Sequence, residues 1–132
     1  MPKNSHTKQV AHRGCSEGNR AAENVLSSYV KAYETLRAAE CDIQRTKDEK
    51  LVLWHDHQLG DEATAKGGAT FAATRLFQKQ GQPIGNFSYE ELRAAAPTMT
   101  LLSEVLRAIP ESAELFIEIK LPVLFCKIVV SP

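Results

Sequence analysis

Several features that would place the chain in a familiar class are absent. The 132 residues include three cysteines, Cys15, Cys41 and Cys126, and no CxxC motif, so we expect reduced thiols rather than a disulfide framework. Lysine plus arginine and aspartate plus glutamate each number 16, a balance that gives no indication of nucleic-acid or membrane-surface binding. No apolar run reaches signal-peptide length or the roughly 20 residues of a spanning helix, so we predict no transmembrane segment and a cytoplasmic location.

The spacing of apolar residues predicts strands and helices in alternation. Four short runs are typical of strands: Val10–His12, Glu40–Gln44, Leu51–Trp54 and Leu115–Lys120. Three segments are predicted to be helical: Ala22–Ala39, a short helix that begins at the capping box of Ser88 and Glu91, and Leu101–Ile109. Residues 57–86 are rich in Gly, Ala, Thr and Gln and are predicted to form an insertion. This order of elements favours an α/β fold with a parallel sheet.

Each predicted strand ends in, or carries on one face, side chains that can take part in chemistry. In chain order these are His12 with Arg13, Glu40 with Asp42, His55 with Asp56, and Glu118 with Lys120. In a parallel barrel the carboxyl ends of the strands meet at one rim. We therefore expect these groups to converge at one site.

Three of the carboxylates among these side chains lie on predicted strands. Glu40 and Asp42 are two residues apart on one strand face, and Glu118 lies on the last predicted strand. Three carboxylates in one pocket would repel each other unless a cation neutralised them, and ligation by oxygen alone suits Mg²⁺ or Ca²⁺. A solvated strand face has the same spacing, so the residues alone leave both interpretations open.

Two histidines, His12 and His55, each end an apolar run. Histidine titrates near neutral pH, so two of them beside a cation would serve as a general acid and a general base. A lone histidine at a strand end is more often a structural, hydrogen-bonded residue, and the residues alone do not exclude that role. Arg13 can bind a phosphate through its planar guanidinium or pair with a carboxylate.

Six short motifs follow one another between residues 10 and 121. They are Ala11-His12-Arg13-Gly14, Glu23-Asn24, Glu40-x-Asp42 with Thr46-Lys47-Asp48, His55-Asp56, Pro97–Leu106 and Glu118-x-Lys120. Their order and spacing resemble the glycerophosphodiester phosphodiesterase family. One departure is that the family's Pro-Glu-Asn reads Ala22-Glu23-Asn24 here. The resemblance implies a TIM barrel, with residues 57–86 as its insertion.

The resemblance also implies a reaction and a set of site residues. The reaction would be hydrolysis of a phosphodiester, assisted by a divalent cation (Mg²⁺ or Ca²⁺), to glycerol 3-phosphate and an alcohol in lipid metabolism. The substrate would be a small glycerophosphodiester or a lysophospholipid-like molecule. By this resemblance Glu40, Asp42 and Glu118 would hold the cation, His12 and His55 would be the acid–base pair, and Arg13 and Lys120 would contact the phosphate.

The length of the chain limits what the resemblance implies. A TIM barrel needs about 250 residues and eight strands, whereas about four strands are predicted here. We therefore expect a single truncated domain over residues 1–132, with motifs at 10–121, a divergent tail at 122–132, and open sheet edges that favour self-association.

Two alternative functions stay open at this point. One is a catalytically inactive truncated chain that acts only by binding a cation or a partner. The other is a phospholipid lyase of the sphingomyelinase D type, which shares the histidine–carboxylate arrangement. The Glu118-x-Lys120 step and the His55-Asp56 pair favour the hydrolase over the lyase.

Overall fold

A computed structural model describes residues 7–56, 82–120 and 125–130, which form a mixed α/β fold. Its sheet contains five strands among these residues: β1 (Ala11–His12), β2 (Ala38–Arg45), β3 (Leu51–Leu53), β4 (Glu114–Lys120) and β5 (Phe125–Val130). Three α-helices accompany them: α1 (Leu26–Thr35), α2 (Tyr89–Ala95) and α3 (Leu102–Ala108). The predicted α/β class is confirmed. No helix in the described ranges is both long and apolar enough to cross a membrane.

Strand β2 is the centre of the sheet. Strand β4 runs parallel to it along one edge, with Asp42 opposite Glu118. On the other edge β1 pairs in parallel with the first half of β2, with His12 opposite Glu40, and β3 pairs with the second half. This arrangement brings three chain segments that are distant in sequence to the same part of the sheet.

The pairing of β3 differs from the parallel arrangement that we predicted, because β3 is antiparallel to β2. The cause is a tight turn between the two strands. Thr46 N donates to Lys50 O at 2.8 Å, and Glu49 adopts a left-handed conformation with φ 61°. The chain therefore reverses, and Trp54 N donates to Asp42 O at 3.0 Å. His55 reaches the middle of the sheet through this hairpin and not through a parallel strand.

The Thr46-Lys47-Asp48 motif has a structural role in this turn. Asp48 Oδ1 accepts hydrogen bonds from Thr46 Oγ1 at 2.6 Å and from Tyr89 N at 2.9 Å. The second bond satisfies a backbone N–H group in the first turn of α2, which would otherwise have no partner inside the helix. The same helix begins at the predicted capping box, in which Ser88 and Glu91 exchange both hydrogen bonds. The motif thus joins the hairpin to α2.

The predicted helix over Ala22–Ala39 was too long. Asn24 has a left-handed backbone with φ 56°, so α1 begins only after it, and Leu36 is extended with φ −114° and ψ 160°. Ala38 and Ala39 favour helix by intrinsic propensity, but they pair with Glu114 and Leu115 of β4. Pairing with β4 outweighs the helix propensity of these alanines, which amounts to less than about 1 kcal/mol per residue.

The structure adds a fifth strand to the four that were predicted. Residues 125–130, within the segment predicted to be a divergent tail, form β5, which is antiparallel to β4. Strand β4 has one edge that β2 does not occupy, and the run Ile128-Val129-Val130 consists of β-branched residues that favour strands. Most of the predicted insertion, residues 57–81, lies outside the described residues. Its last part forms a short 3₁₀ turn at Ile84–Asn86.

The core consists of two apolar clusters. The larger one lies between the sheet and helices α1 and α3, and its centre contains Tyr29, Ala32, Cys41, Ile43, Val105, Leu115 and Ile117. The smaller one lies between the hairpin and α2, and it contains Val52, Trp54, Ile84, Phe87, Leu92 and Met99. Because Cys41 and Ile43 of β2 face the larger cluster, the intervening residues Glu40, Asp42 and Gln44 face the opposite side of the sheet. That side carries the candidate site.

Candidate active site

Three carboxylates from β2 and β4 meet on the polar face of the sheet. One oxygen atom from each of Glu40, Asp42 and Glu118 lies within 4.8 Å of the others. Glu40 and Asp42 are buried, with 9% and 1% of their surface exposed. The alternation along β2 and the Asp42–Glu118 register produce this cluster. The structure thus excludes the solvated strand face that the sequence had left open for Glu40 and Asp42.

Burial and mutual repulsion change the acidity of this cluster. The pKa of Glu40 is raised to about 7, first by burial and then by the negative charge of Asp42. The backbone N–H of Arg13 donates to Glu40 Oε2 at 3.1 Å and offsets part of this rise. Both burial and the neighbouring negative charge disfavour the ionised form of this carboxyl group.

Two basic side chains lie against the cluster. Arg13 Nε is 3.3 Å from Asp42 Oδ2, and Arg13 Nη1 donates to Glu23 Oε2 at 2.8 Å. Lys120 Nζ donates to Glu118 Oε1 at 2.7 Å and lies 3.3 Å from Asp42 Oδ1. Burial lowers the pKa of Lys120, but the hydrogen bond to Glu118 and the charge of Asp42 outweigh it, and the pKa is raised.

The loop after β1 places Arg13. Arg13 and Gly14 both have positive φ angles, 56° and 83°, so the chain turns sharply directly after His12. A non-glycine residue in this region is strained by roughly 1–3 kcal/mol and persists where surrounding contacts hold it. Here the ion pairs of Arg13 with Glu23 and Asp42 supply those contacts.

The two histidines occupy different environments near the cluster. His12 Nε2 is 3.8 Å from Glu40 Oε2, and 71% of its side chain is exposed. His55 follows β3, and its Nδ1 atom forms a 2.7 Å hydrogen bond with Asp56 Oδ1. The amide of Gln44 fixes this segment by donating to Trp54 O at 2.9 Å and to Asp56 O at 2.6 Å. His55 and Asp56 are therefore tied to the same face of β2 as Asp42.

The donor set of the cluster fits a hard divalent cation. Its three members offer only carboxylate oxygens, which Mg²⁺ and Ca²⁺ prefer. Glu40 Oε1 is buried and makes no hydrogen bond to any of the described residues, as expected for an oxygen that a cation would bind. Among the described residues, Glu23 is a fourth carboxylate, and it pairs with Arg13 beside the cluster.

Sequence reasoning gave no role to three residues that shape the site. Gln44 fixes the segment that carries His55, and Asn24 and Tyr29 hydrogen bond around Asp42. The two-residue period of a strand places Gln44 on the face of Glu40 and Asp42, which is a signal for its position but not for its partner. Asn24 belongs to the Glu23-Asn24 motif, whereas nothing in the sequence beyond its helical spacing pointed to a role for Tyr29.

The chain is similar to a known family and to individual proteins that carry the name of that family. The model of the glycerophosphoryl diester phosphodiesterase family matches residues 12–125. A glycerophosphodiester phosphodiesterase from Bacillus altitudinis is 32% identical over 115 residues, which cover 87% of this chain and 45% of the relative. This chain therefore spans a little under half the length of that relative.

Solved structures support the fold. A glycerophosphodiester phosphodiesterase from Thermotoga maritima superposes with a TM-score of 0.65 at 29% identity, covering 88% of this chain and 45% of that protein. An Oleispira antarctica phosphodiesterase, in complex with the product sn-glycerol-3-phosphate, has a TM-score of 0.60 at 22% identity, covering 86% of this chain and 44% of that protein. The predicted partial TIM-barrel fold is confirmed by these likenesses.

Proposed function

The chain belongs to the glycerophosphoryl diester phosphodiesterase family, and we propose that it carries the cation- and phosphate-binding part of an enzyme that hydrolyses glycerophosphodiesters. The products would be glycerol 3-phosphate and an alcohol. The observation that carries this proposal is the cluster of Glu40, Asp42 and Glu118, whose carboxylate oxygens lie within 4.8 Å of one another between two basic side chains. Bound there, Mg²⁺ or Ca²⁺ would polarise the phosphoryl oxygens and offset the charge that grows in the transition state.

Arg13 and Lys120 are proposed to contact the phosphate. Only 16% and 12% of their side chains are exposed, so each would present its charge in surroundings that screen it weakly. Their carboxylate partners hold both groups in place before substrate binds. Such prior positioning is what makes fixed charges effective for a phosphoryl group.

His12 and His55 are proposed to move the protons. One would take the proton from the attacking water, while the other gives a proton to the oxygen of the leaving alcohol. Asp56 holds His55 through Nδ1, and its carboxylate would stabilise the positive charge of the protonated ring. His12 has a largely exposed ring at the end of β1, where it can reach a bound substrate.

Cation binding can be tested by calorimetric titration of the chain with Mg²⁺, Ca²⁺ and Mn²⁺. We expect one site per chain, and we expect Glu118→Gln to weaken binding by at least about tenfold, since it removes a ligand charge. Glu49→Gln is the matched control. It is the same chemical change, but Glu49 lies in the hairpin turn with 79% of its side chain exposed. Equal affinities for the two variants would contradict the assignment of Glu118.

The reaction can be tested with glycerophosphocholine in an assay coupled to glycerol 3-phosphate release. Release that depends on the cation and is lost in Asp42→Asn would support the proposal. Turnover of sphingomyelin or a lysophospholipid to a cyclic phosphate would favour the lyase instead. Tight cation binding without any turnover would favour the chain that acts only by binding.

A further inference from the structure

Asn24 and Tyr29 form a buried hydrogen-bonded pair next to Asp42, and we propose that this pair positions Asp42 for cation binding. The inference rests on the cation site proposed above. We call the two residues the Asn24–Tyr29 clamp. Both are almost completely inaccessible, with 1% and 0% of their surface exposed. Neither is placed to touch a cation or a substrate, so the clamp would act through Asp42.

The hydrogen bonds of Asn24 permit only one orientation of its amide. Asn24 Nδ2 donates to Asp42 Oδ2 at 3.0 Å, while Asn24 Oδ1 accepts from Asp42 N at 3.2 Å and from Tyr29 Oη at 2.8 Å. A flipped amide would turn its NH₂ group toward two donors and its oxygen toward a carboxylate. The side chain and the backbone of Asp42 are therefore both held by one rigid group.

Tyr29 fixes this amide to the core. Its ring lies in the apolar cluster between α1 and the sheet, and its hydroxyl also lies 3.1 Å from Glu40 O, which is a second acceptor. One hydroxyl thus links the Asn24 amide to the backbone of a second residue of the carboxylate cluster. Because the ring is packed on all sides, the hydroxyl has little freedom to move away.

The clamp also determines which oxygen of Asp42 remains for a cation. Asp42 Oδ2 accepts a hydrogen bond from Asn24 and lies 3.3 Å from Arg13 Nε, whereas Asp42 Oδ1 accepts no hydrogen bond from the described residues. Asp42 Oδ1 points to the other side, where Lys120 Nζ is 3.3 Å away and belongs to the same strand as Glu118. We infer that Oδ1 is the atom that would bind the cation, with the clamp holding it there.

The backbone of Asn24 also holds the loop after β1. Asn24 has a φ of 56°, a conformation that asparagine tolerates better than most residues. In this conformation Asn24 N donates to Arg13 O at 2.9 Å. A single residue therefore connects Arg13 and Asp42, whose side chains are 3.3 Å apart.

The test compares two tyrosines of the same helix. Tyr29→Phe removes the clamp hydroxyl, whereas Tyr33→Phe removes a hydroxyl that donates to Glu114 O at 2.6 Å, at the opposite end of the strand pair from the cluster. Calorimetric titration with Mg²⁺ and Ca²⁺ should show a Kd raised by about tenfold in Tyr29→Phe and unchanged in Tyr33→Phe. Thermal melts without cation should show that both variants lose stability, because each loses one hydrogen bond.

Asn24→Gly is the second variant, because glycine keeps the left-handed backbone and removes the amide. We expect its Kd to rise by about 10–100-fold, the effect usual for residues that orient metal ligands. The inference is overturned if Tyr29→Phe and Tyr33→Phe bind the cation with equal Kd values. It is also overturned if Asn24→Gly keeps the Kd of the unaltered chain. If neither Tyr29→Phe nor Asn24→Gly folds, the inference is also overturned, because the pair is then required for the stability of the core. If the unaltered chain binds no cation, the proposed function itself fails.

Discussion

Gly14 is the position where a single methyl group should disturb both the fold and the site. It follows Arg13 in the sharp turn after β1 and has a φ of 83°. A Cβ atom at Gly14 would overlap Ser28 Oγ and lie 2.9 Å from Ser28 Cβ. Ser28 cannot easily yield, because its hydroxyl donates to Val25 O at 2.6 Å and its carbonyl accepts from Cys15 N at 2.9 Å.

Two costs add up in Gly14→Ala. The left-handed backbone costs an alanine roughly 1–2 kcal/mol, and overlap with a packed neighbour costs typically about 1–3 kcal/mol. We therefore expect the free energy of unfolding to fall by about 2–5 kcal/mol, a large share of the roughly 5–15 kcal/mol of an ordinary domain. Gly18→Ala is the matched control, since Gly18 has a φ of 79° and no atom within 4 Å of the added Cβ. In Gly18→Ala the free energy of unfolding should fall only by the cost of the left-handed backbone, about 1–2 kcal/mol.

Urea unfolding followed by the fluorescence of Trp54 measures this difference. Trp54 is the only tryptophan of the chain and is 1% exposed. At a urea dependence of about 2 kcal/mol per molar, Gly14→Ala should shift the midpoint down by about 1–2.5 M. Adding Ser28→Ala to Gly14→Ala should recover part of the loss, because it removes the overlapping hydroxyl. Equal destabilisation in Gly14→Ala and Gly18→Ala would refute the steric argument.

Three further predictions concern acidity, proton transfer and association. Because the pKa of Glu40 is raised from 4.5 to about 7, the folded chain without cation binds this proton more tightly than the unfolded chain. This contribution to stability is therefore present below pH 4.5 and lost as the pH rises through about 7. Cation binding must displace the proton, so the affinity should fall by about fivefold between pH 7 and pH 6, and calorimetry showing pH-independent affinity would contradict this. In the glycerol 3-phosphate assay, His12→Ala and His55→Ala should each lower turnover by about 10²–10⁴-fold, and near-full turnover would remove that histidine from the mechanism. Among the described residues β1 and β5 lie at the outer edges of the sheet, so the 132-residue chain should self-associate in size-exclusion chromatography and turn over slowly; a monomer with ordinary turnover would speak against this.

The candidate site could be predicted from the sequence to a different extent for each residue. The two-residue spacing of Glu40 and Asp42 on a strand predicted their common face, and the register of β2 with β4 places Glu118 beside them. The capping box at Ser88 was also predicted, because it depends on residues three positions apart. The common face of Glu40 and Asp42 and the capping box are periodic or local features, which are what a single sequence specifies best.

Other features did not follow from local patterns. The alanines that begin β2 favour helix until β4, which is far away in the sequence, supplies partners for their backbone. The reversal of β3 has a nearer cause, because it follows from the turn at residues 46–50, where side-chain and backbone hydrogen bonds close the hairpin and tie it to α2. There the alternation of strands and helices along the whole chain favoured a parallel arrangement that this turn prevents.

The sequence by itself determined the family, the α/β class and the residue types from which the site is built, because these depend on the order and spacing of short motifs. Only the tertiary structure decided how the charges are arranged. It set Arg13 and Lys120 on either side of Asp42, and it turned the Asn24 amide toward Asp42 with Tyr29 behind it. The physical reason is that a hydrogen bond or an ion pair depends on distances of about 3 Å between side chains, and only packing of the whole chain establishes such distances.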